Sequence, residues 1–457
     1  MKVIVIDDDP TGSQTVNNCL LLLKWDYSTL IKGFKSKSNL FFILANTRSL
    51  SENDAKLRLV EICDALKKII SKESYKEEEF IFVSRGDSTL RGHNFLEPKI
   101  INECLGPFDA TFHIPAFIEG KRITIDGDHF VNNVPVSQTI FAKDKIFGYK
   151  TSNIKKLLFQ KSKSQIKLND IQNLKLSELN VLESKEKNIV FNKIKNYKEN
   201  SHVIVDVENY SQLKKFSLSI KKLSKQKKFL FRTAASFISS ISDAKDNPQE
   251  PSFYSLLRRK DNEKKLLPGC LVIGSYVELT TIQLKNLLKI SDCVPIECDV
   301  FEFLRISKLK NNQDQLGLFK NEFLAKIRSC LKKENTPVLF TSRKEVFLGN
   351  NDEQVNFYNS LAYFISEIVS DLKNEIGYLV SKGGITSNVI LSNGFKADYV
   401  YLQGQIITGV SLVTLKLKND ESLPIATFPG NVTIGRFPSF LSFNVTRETP
   451  VIICPCK

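Results

Sequence analysis

The chain has 457 residues, 42% of them hydrophobic, so it is long enough to bury more than one core and is expected to form two or three domains. Its formal charge of +15 comes from lysines that are scattered along the sequence without interleaved aromatic residues, a pattern that argues against nucleic-acid binding. The nine cysteines have irregular spacings, which predict neither a disulfide framework nor a paired-cysteine zinc site and favour a cytoplasmic location.

The first predicted element is a short buried strand at residues 3–6, and three carboxylates, Asp7, Asp8 and Asp9, follow it directly. In open α/β sheets, ligands bind outside the carboxyl ends of the strands, so these side chains are candidates for a binding site. Adjacent negative charges repel one another, and we therefore expect a metal ion or an Arg or Lys close by. The alternative is an acidic turn that opens a helix.

Strands alternate with helices up to residue 243. Further strands are predicted at 40–44, 80–83, 110–114, 202–205 and 228–231, and an amphipathic helix at 51–70 places Leu57 and Leu59 on its apolar side. This alternation predicts an α/β domain whose parallel sheet is flanked by helices. No leader peptide is expected before the first strand, and no run of about 18 apolar residues predicts a membrane span.

A polar stretch at 244–266 is predicted to be a linker between an N-terminal domain, 1–243, and a C-terminal domain, 267–457. The second domain is predicted to be mixed α/β. Its predicted strands are 270–273 and 338–341, its predicted helices are 281–290 and 354–373, and strands joined by ligand-facing loops are expected from 377 to the end.

A basic and polar segment, 84–94, follows the predicted strand at 80–83. Its side chains Arg85, Asp87, Ser88 and Arg91 suit a small anionic, hydroxylated ligand, because a guanidinium binds a carboxylate through two hydrogen bonds. Arg48 has the same placement after residues 40–44, so the clusters are expected at one edge of the sheet. Taken singly, Arg85 or Arg91 could instead be a surface residue paired with Glu97. A further segment, 114–127, is most simply a β-hairpin.

Glycine-containing loops with hydroxyl residues occur in the second half at 381–387 and 429–435, and Gly274-Ser275 ends a predicted strand. Glycines let backbone N–H groups approach phosphate oxygens closely, so a nucleotide site is plausible here. Neither loop is a Walker A sequence, because no Lys follows a second Gly at the required place.

The opening sequence permits a phosphatase reading. VIVIDDDPT resembles the first motif of haloacid dehalogenase-type phosphatases, in which Asp7 would be the nucleophile and Asp9 the general acid around Mg²⁺. This resemblance covers the first nine residues and leaves the other clusters unexplained.

A longer resemblance is to the four-carbon acid sugar kinase family. Its motifs occur in order along both halves of the chain, as Asp8-Asp9-Pro10-Thr11-Gly12, Asp87-Ser88-Thr89-Leu90-Arg91-Gly92, Pro115-Ala116-Phe117 with Gly120-Lys121-Arg122, Asp126-Gly127, Gly274-Ser275, Thr341-Ser342-Arg343, Lys382-Gly383-Gly384-Ile385-Thr386-Ser387, Gly404-Gln405 and Pro429-Gly430-Asn431-Val432. Two positions depart from the family pattern: Arg85 stands where a Lys is common, and Thr433-Ile434 precedes Gly435 in the last loop.

The resemblance implies a kinase with a sugar-acid-binding N-terminal domain and a nucleotide-binding C-terminal domain, which uses ATP and Mg²⁺ to phosphorylate a small sugar acid such as a tetronate. In that case Asp8, Asp9 and Arg91 are catalytic, with one of the aspartates as the base. Substrate would be bound by Arg48, Arg85, Asp87 and Ser88. Nucleotide would be bound by Ser275, Gly383, Gly384, Ile385, Thr386, Gly430 and Asn431. Neither a nucleic acid nor a membrane is an expected partner, and the chain could form a homodimer.

Overall fold

The structure is a computed structural model, and it describes residues 1–10, 12, 15–181, 187–243, 256–275, 277–343, 346, 348–349, 351–407, 409–418 and 421–429. The chain divides into two compact units, Met1–Asn247 and Pro248–Lys457. The first half of the predicted linker, 244–255, lies outside the described residues. Among the helices of the described part, none is both long and apolar enough to cross a membrane.

The N-terminal unit is built on a parallel sheet. Its strands are β1 (Lys2–Asp7), β2 (Cys19–Leu22), β3 (Leu40–Leu44), β4 (Phe80–Arg85), β5 (Ala110–Ile114), β9 (Gln172–Leu174), β10 (Ser201–Val205) and β11 (Phe229–Thr233), and their order across the sheet is β2-β3-β1-β4-β11-β5-β10-β9. All pairs in this series are parallel. The predicted α/β sheet is therefore confirmed, with β2 and β9 added to the predicted strands.

Strand β1 lies between β3 and β4, with Asp7 opposite Leu44 on one side and Arg85 on the other. The central strands are buried along their whole length, because helices cover the sheet and apolar residues such as Ile4 and Phe42 fill the interior. After β1 the chain forms β2 and β3 on one side of this strand and then crosses to form β4 on its other side. This reversal opens a crevice at the carboxyl ends of these strands, where ligands bind in folds of this kind.

Helices of the N-terminal unit are α1 (Tyr27–Lys35), α2 (Glu52–Lys72), α3 (Leu96–Leu105), α4 (Ile154–Lys161), α5 (Leu176–Val181), α6 (Lys187–Lys195), α7 (Tyr210–Leu223) and α8 (Ala235–Ser242). Helix α2 confirms the predicted helix at 51–70, and Ser51 caps it by accepting a hydrogen bond from the N–H of Asp54. One part of that prediction is wrong: Leu59 is buried, but Leu57 is 67% exposed, because it falls on the solvent side of the helix.

A small antiparallel sheet lies beside the strand ends. It comprises β6 (Arg122–Ile125), β7 (Asp128–Val131) and β8 (Val134–Pro135), in that order. The turn between β6 and β7 is Asp126-Gly127, and both residues have positive φ, as a tight two-residue hairpin turn requires. The predicted hairpin is thus present and begins at Arg122.

The C-terminal unit has a mixed sheet. Its strands are β12 (Cys270–Ile273), β13 (Cys293–Cys298), β14 (Thr336–Thr341), β15 (Leu379–Lys382), β16 (Tyr399–Ile407), β17 (Val410–Lys416) and β18 (Ser422–Phe428), ordered β13-β14-β12-β15-β18-β17-β16. The strands from β13 to β18 in this order are parallel, whereas β17 is antiparallel to both of its neighbours.

Helices of this unit are α9 (Glu278–Leu287), α10 (Val300–Ser307), α11 (Asn312–Lys332), α12 (Asn351–Leu372) and α13 (Gly384–Val389), which a short π-helical segment, Ile390–Gly394, follows. A core of buried apolar residues lies on the sheet, with Leu271, Val338 and Leu412 among its members. The carboxyl ends of β12, β14 and β15 lie side by side, which brings the loops after these strands together.

Candidate functional site

The acidic cluster after β1 is neutralised by two arginines from the neighbouring strands. Arg48 follows β3, and its guanidinium binds Asp8 through two bonds, Nε to Oδ2 at 3.1 Å and Nη2 to Oδ1 at 2.5 Å. Its Nη1 donates to Asp9 Oδ2 at 3.0 Å. Arg85, the last residue of β4, places Nη1 3.3 Å from Asp8 Oδ1 and 3.5 Å from Asp7 Oδ1. The positive charge expected beside the aspartates is therefore supplied by arginine. Arg48 and Arg85, which were predicted to bind substrate, already form ion pairs with these aspartates.

Asp7 is the most enclosed carboxylate of this cluster. Its exposed fraction is 1%, and Oδ2 has no hydrogen-bond partner in the part of the chain that the structure describes. Gly12 lies directly against it, because a Cβ at that position would come within 2.2 Å of Asp7 Oδ1. Burial raises the pKa of Asp7 to about 7, although Arg85 opposes the shift. The carboxylate is thus enclosed between a backbone and a guanidinium.

The loop after β4 carries a second ion pair. Arg91 Nε donates to Asp87 Oδ2 at 2.7 Å and to Thr89 Oγ1 at 3.1 Å, and the Thr89 hydroxyl also donates to Asp87. Burial alone would raise the pKa of Asp87, but Arg91 and Arg48 outweigh it and hold the pKa well below its usual range. The loop approaches the acidic cluster at Gly92, where a Cβ would lie 3.1 Å from Asp8 Oδ2.

The hairpin sheet brings Arg122 to the same loop. Arg122 Nη1 donates to Ser88 Oγ at 2.7 Å. His129 lies behind this contact, fully buried, with Nε2 2.8 Å from the Ser88 carbonyl and Nδ1 3.0 Å from Thr124 Oγ1. Burial lowers the pKa of His129 to about 4, so the ring is neutral at pH 7, donates from Nε2 and accepts at Nδ1. This fixes the backbone at Ser88 and orients its hydroxyl towards Arg122.

A buried pair behind the loop was not predicted. Arg232, on β11, donates from Nη1 to Glu97 Oε2 at 2.5 Å and to Ser84 Oγ at 2.9 Å. The alternative in which Arg85 or Arg91 pairs with Glu97 is therefore wrong, because Glu97 points inward beneath β4 and β11. Arg232 also places Nη2 4.0 Å from Asp8 Oδ2. Its distance along the chain from its partners left no local signal by which sequence reasoning could find it.

The N-terminal unit thus brings together every site residue predicted for it: Asp8, Asp9, Arg48, Arg85, Asp87, Ser88 and Arg91. Asp7, the third carboxylate of the predicted acidic cluster, lies with them, and the structure adds Arg122, His129, Arg232 and Glu97. Among the described residues, no grouping of three or more His, Cys, Asp or Glu side chains has the arrangement of a metal site. The guanidinium and hydroxyl groups gathered here are of the kind that bind an anionic, hydroxylated small molecule.

In the C-terminal unit, the loops after β12 and β15 meet closely. The N–H groups of Gly274 and Ser275 donate to the Lys382 carbonyl at 3.1 and 3.4 Å. A Cβ at Gly274 would come within 2.1 Å of Thr386 Oγ1, and Gly383 has φ +125, so neither position tolerates a side chain. Ser275, Gly383 and Thr386 are therefore neighbours, with Gly384 and Ile385 between the last two. The N–H groups of Gly274 and Ser275 are taken by the Lys382 carbonyl, so phosphate contacts at this glycine-rich turn, which we call the cradle, would come from the backbone at the start of α13 and from the hydroxyls.

Two basic residues border this cradle. Arg343 follows β14 and donates from Nη1 to the Ser275 carbonyl at 2.7 Å. Lys382 is 2% exposed and donates from Nζ to the Pro429 carbonyl at 3.0 Å, with Nζ 3.9 Å from the centre of the Phe428 ring. Burial lowers its pKa to about 7. The predicted nucleotide contacts Gly430 and Asn431, and the Thr433-Ile434 departure, lie outside the described residues.

Two family models match the chain. The sugar-binding N-terminal domain matches residues 3–241, and the nucleotide-binding C-terminal domain matches residues 270–433. D-erythronate kinase from Heliobacterium modesticaldum is 28% identical over 151 residues, which span 31% of this chain and 32% of that protein. The chain therefore aligns with about a third of the length of this curated relative.

Solved structures show the same fold. A putative tRNA synthase from Salmonella typhimurium has a TM-score of 0.69 at 14% identity, covering 96% of this chain and 98% of that one. The Haemophilus influenzae protein HI1011, assigned to a domain family of unknown function, has a TM-score of 0.64 at 15% identity with the same coverage of both chains. Matched domain models over both halves, together with the ordered motifs, show that the chain belongs to the four-carbon acid sugar kinase family.

Proposed function

We propose that this protein is an ATP-dependent kinase that phosphorylates a hydroxyl of a small sugar acid, of the four-carbon class that includes tetronates and 3-oxo-tetronates. The observation that carries the proposal is the cluster of carboxylates and arginines at the carboxyl ends of β1, β3 and β4, within the matched sugar-binding domain. The name of the matched relative, D-erythronate kinase, supports an acid of this size.

Phosphoryl transfer requires a group that accepts the proton of the attacking hydroxyl. Both oxygens of Asp8 bind Arg48, and its side chain is 0% exposed, whereas the side chain of Asp9 is 18% exposed. A base must come within hydrogen-bond distance of the substrate hydroxyl, so Asp9 is the better candidate. Asp8 then acts by holding Arg48 in place, and Arg91 carries positive charge beside the substrate.

The C-terminal unit would bind ATP through the cradle formed by Gly274, Ser275, Gly383 and Thr386. The hydroxyls of Ser275 and Thr386 and the backbone at the start of α13 suit the phosphates, and Mg²⁺ would enter with them, since it is commonly held by substrate phosphates and water. When bound, the ion would neutralise part of the negative charge of the phosphates. This chain's own residues would orient the nucleotide, and the absence of a side chain at Gly274 lets the β12 loop pack directly against Thr386.

The test is turnover with ATP and Mg²⁺ across a panel of tetronic, oxo-tetronic and longer aldonic acids, with ADP release and ³¹P NMR of the product as readouts. We expect one acid to be phosphorylated, and Asp9→Asn to lower kcat by about a hundredfold or more, as loss of a general base does. Glu61→Gln on the exposed face of α2 is the matched control. If no acid on the panel is phosphorylated, the proposal is wrong.

The phosphatase alternative makes the opposite prediction, namely release of phosphate from sugar phosphates without ATP. No finding favours it, and the buried position of Asp7 beneath Gly12 is unsuited to a nucleophile that must reach a phosphorus atom. The phosphatase alternative would be supported if the wild type released phosphate from sugar phosphates without ATP and Asp7→Asn abolished this release.

A further inference from the structure

Arg122 is a cation for which the described residues provide no ion-pair partner. The other arginines around it are all matched with carboxylates: Arg48 with Asp8 and Asp9, Arg85 with Asp7 and Asp8, Arg91 with Asp87, and Arg232 with Glu97. No carboxylate of the described residues lies within ion-pair distance of Arg122. A half-buried guanidinium without a counter-ion is unfavourable unless a ligand supplies one.

The surroundings of Arg122 hold the guanidinium in a fixed plane. Its charged end lies 5.3 Å from the Phe117 ring and 5.8 Å from the Phe141 ring, so aromatic faces flank it. Nη1 donates to Ser88 Oγ at 2.7 Å, while the buried Nε has no hydrogen-bond partner among the described residues. Burial lowers the pKa of Arg122, and the positive charges of Arg91 and Arg85 add to this effect, whereas the carboxylate of Asp87, which is itself paired with Arg91, opposes it.

Ser88 connects this guanidinium to the rest of the site. It follows Asp87 in the loop that also carries Arg91, the partner of Asp87. The Arg91 guanidinium lies 5.3 Å from the centre of the Phe141 ring, which also flanks Arg122. Because the Ser88 oxygen accepts from Arg122, its own O–H remains available to donate. Arg122 and Ser88 together therefore present N–H and O–H donors of the kind that bind a carboxylate.

We propose that Arg122, with the Ser88 hydroxyl, binds the carboxylate of the sugar acid, while Arg48 and Arg85 serve mainly to hold the aspartates. This inference rests on the proposed function and assigns the acid group of its substrate to one residue. The predicted substrate role of Ser88 is kept, but the carboxylate contact moves from Arg48 and Arg85 to Arg122. The substrate would then extend from the hairpin towards Asp9, with its acid group at the hairpin end.

The test compares Arg122→Met with Arg122→Lys, using Lys121→Met as a matched control because Lys121 is an exposed cation next to it on the chain. Binding is measured by thermal shift with the panel acids and, separately, with ATP and Mg²⁺; KM and kcat are measured for the acid that is turned over. A hydrogen-bonded charge pair contributes a factor of about ten to a hundred. We expect Arg122→Met to raise KM by about that factor, Arg122→Lys by less, and Lys121→Met to leave it unchanged.

A second readout is selectivity for the acid over its uncharged amide. Wild type should prefer the acid, and Arg122→Met should lose most of that preference while its stabilisation by ATP stays as in wild type, which also shows that the variant is folded. An unchanged KM and an unchanged acid preference in Arg122→Met would overturn the inference. If wild type binds a panel acid through Arg122 without phosphorylating it, the inference holds and the proposed function fails. If wild type neither binds nor phosphorylates any acid, both fail.

Discussion

Asp7 and Asp87 are carboxylates in one site with opposite electrostatic surroundings. Asp7 has its pKa raised to about 7 by burial, with only partial compensation from Arg85. Asp87 has its pKa held well below the usual range, because Arg91 and Arg48 outweigh the effect of burial. Because the charged form is disfavoured at Asp7 and favoured at Asp87, the two carboxylates should change the stability of the protein in opposite directions as pH rises.

We predict that Asp7→Asn stabilises the protein increasingly as pH rises. An Asp in the unfolded chain titrates near pH 4. Between about pH 4 and 7 the folded state therefore keeps a proton on Asp7 that the unfolded state has lost, and the free energy of unfolding of the wild type falls as pH rises through the folded pKa. The variant does not undergo this fall. Denaturant unfolding should show that the free energy of unfolding of the variant, relative to that of the wild type, increases by about a few kcal/mol between pH 5 and pH 8, as a pKa shift of this size implies.

Asp87→Asn is the matched control, since the group has a lowered pKa and its stabilising contribution is present above the unfolded pKa and lost in acid. This variant should therefore be less stable than wild type at pH 8 and approach it as pH falls. A stability difference for Asp7→Asn that is the same at both pH values would contradict the prediction.

Arg48 is the residue on which the acidic cluster depends most. It makes a two-bond contact with Asp8, which is fully buried, and a third bond with Asp9. We predict that Arg48→Met lowers the free energy of unfolding by about 3 kcal/mol, because it leaves a buried carboxylate without its main counter-ion. The double variant Arg48→Met with Asp8→Asn should regain much of this loss, as chemical denaturation would show. Equal stability of the single and double variants would contradict the prediction, because the Asp8 carboxylate would then carry no penalty in the absence of Arg48.

At the scale of strands and helices, buried strands that end in polar residues were predictable. The apolar runs of β1, β3, β4, β5 and β11 each stand out, and each is followed by residues that the structure places at the edge of the sheet. Because carboxyl ends of parallel strands meet at one edge, the sequence was sufficient to group Asp8, Arg48 and Asp87 before any contact was known.

Other elements lacked a readable signal. Strand β2 is a four-residue apolar run, CLLL, which periodicity cannot distinguish from a piece of helix. Strand β13 contains Pro295, which argues against a central strand, and it is in fact the edge strand of its sheet, where proline is tolerated. The Arg232–Glu97 pair joins residues 135 positions apart, and only the sheet order brings them together. Contacts between distant elements are decided by packing and not by local pattern.

The approach of the β12 loop to helix α13 provides a test at this scale. A Cβ at Gly274 would collide with Thr386 Oγ1 at 2.1 Å, with Thr386 Cβ and Cγ2 both at 3.2 Å. We predict that Gly274→Ala destabilises the C-terminal unit by about 1–3 kcal/mol through overpacking and weakens stabilisation by ATP. Adding Thr386→Ala removes the colliding oxygen and should restore part of the stability, measured by thermal unfolding. Failure of the second substitution to restore any stability would show that another contact is responsible.

At the scale of the whole molecule, the matched sugar-binding domain and the matched nucleotide-binding domain fall in different units of the chain, so the proposed function places acid and ATP in different units. A ligand that binds only the native state stabilises the protein more when it binds more tightly at a given concentration, so a substitution in one unit should change the thermal shift of one ligand only. We predict that Arg91→Ala abolishes the thermal shift produced by the acid and keeps the shift produced by ATP with Mg²⁺. Gly274→Ala should keep the shift produced by the acid and weaken the shift produced by ATP with Mg²⁺, and both variants should lower turnover, because transfer requires both ligands at once. Loss of both thermal shifts in either variant, with the fold intact by circular dichroism, would show that the two sites do not bind independently.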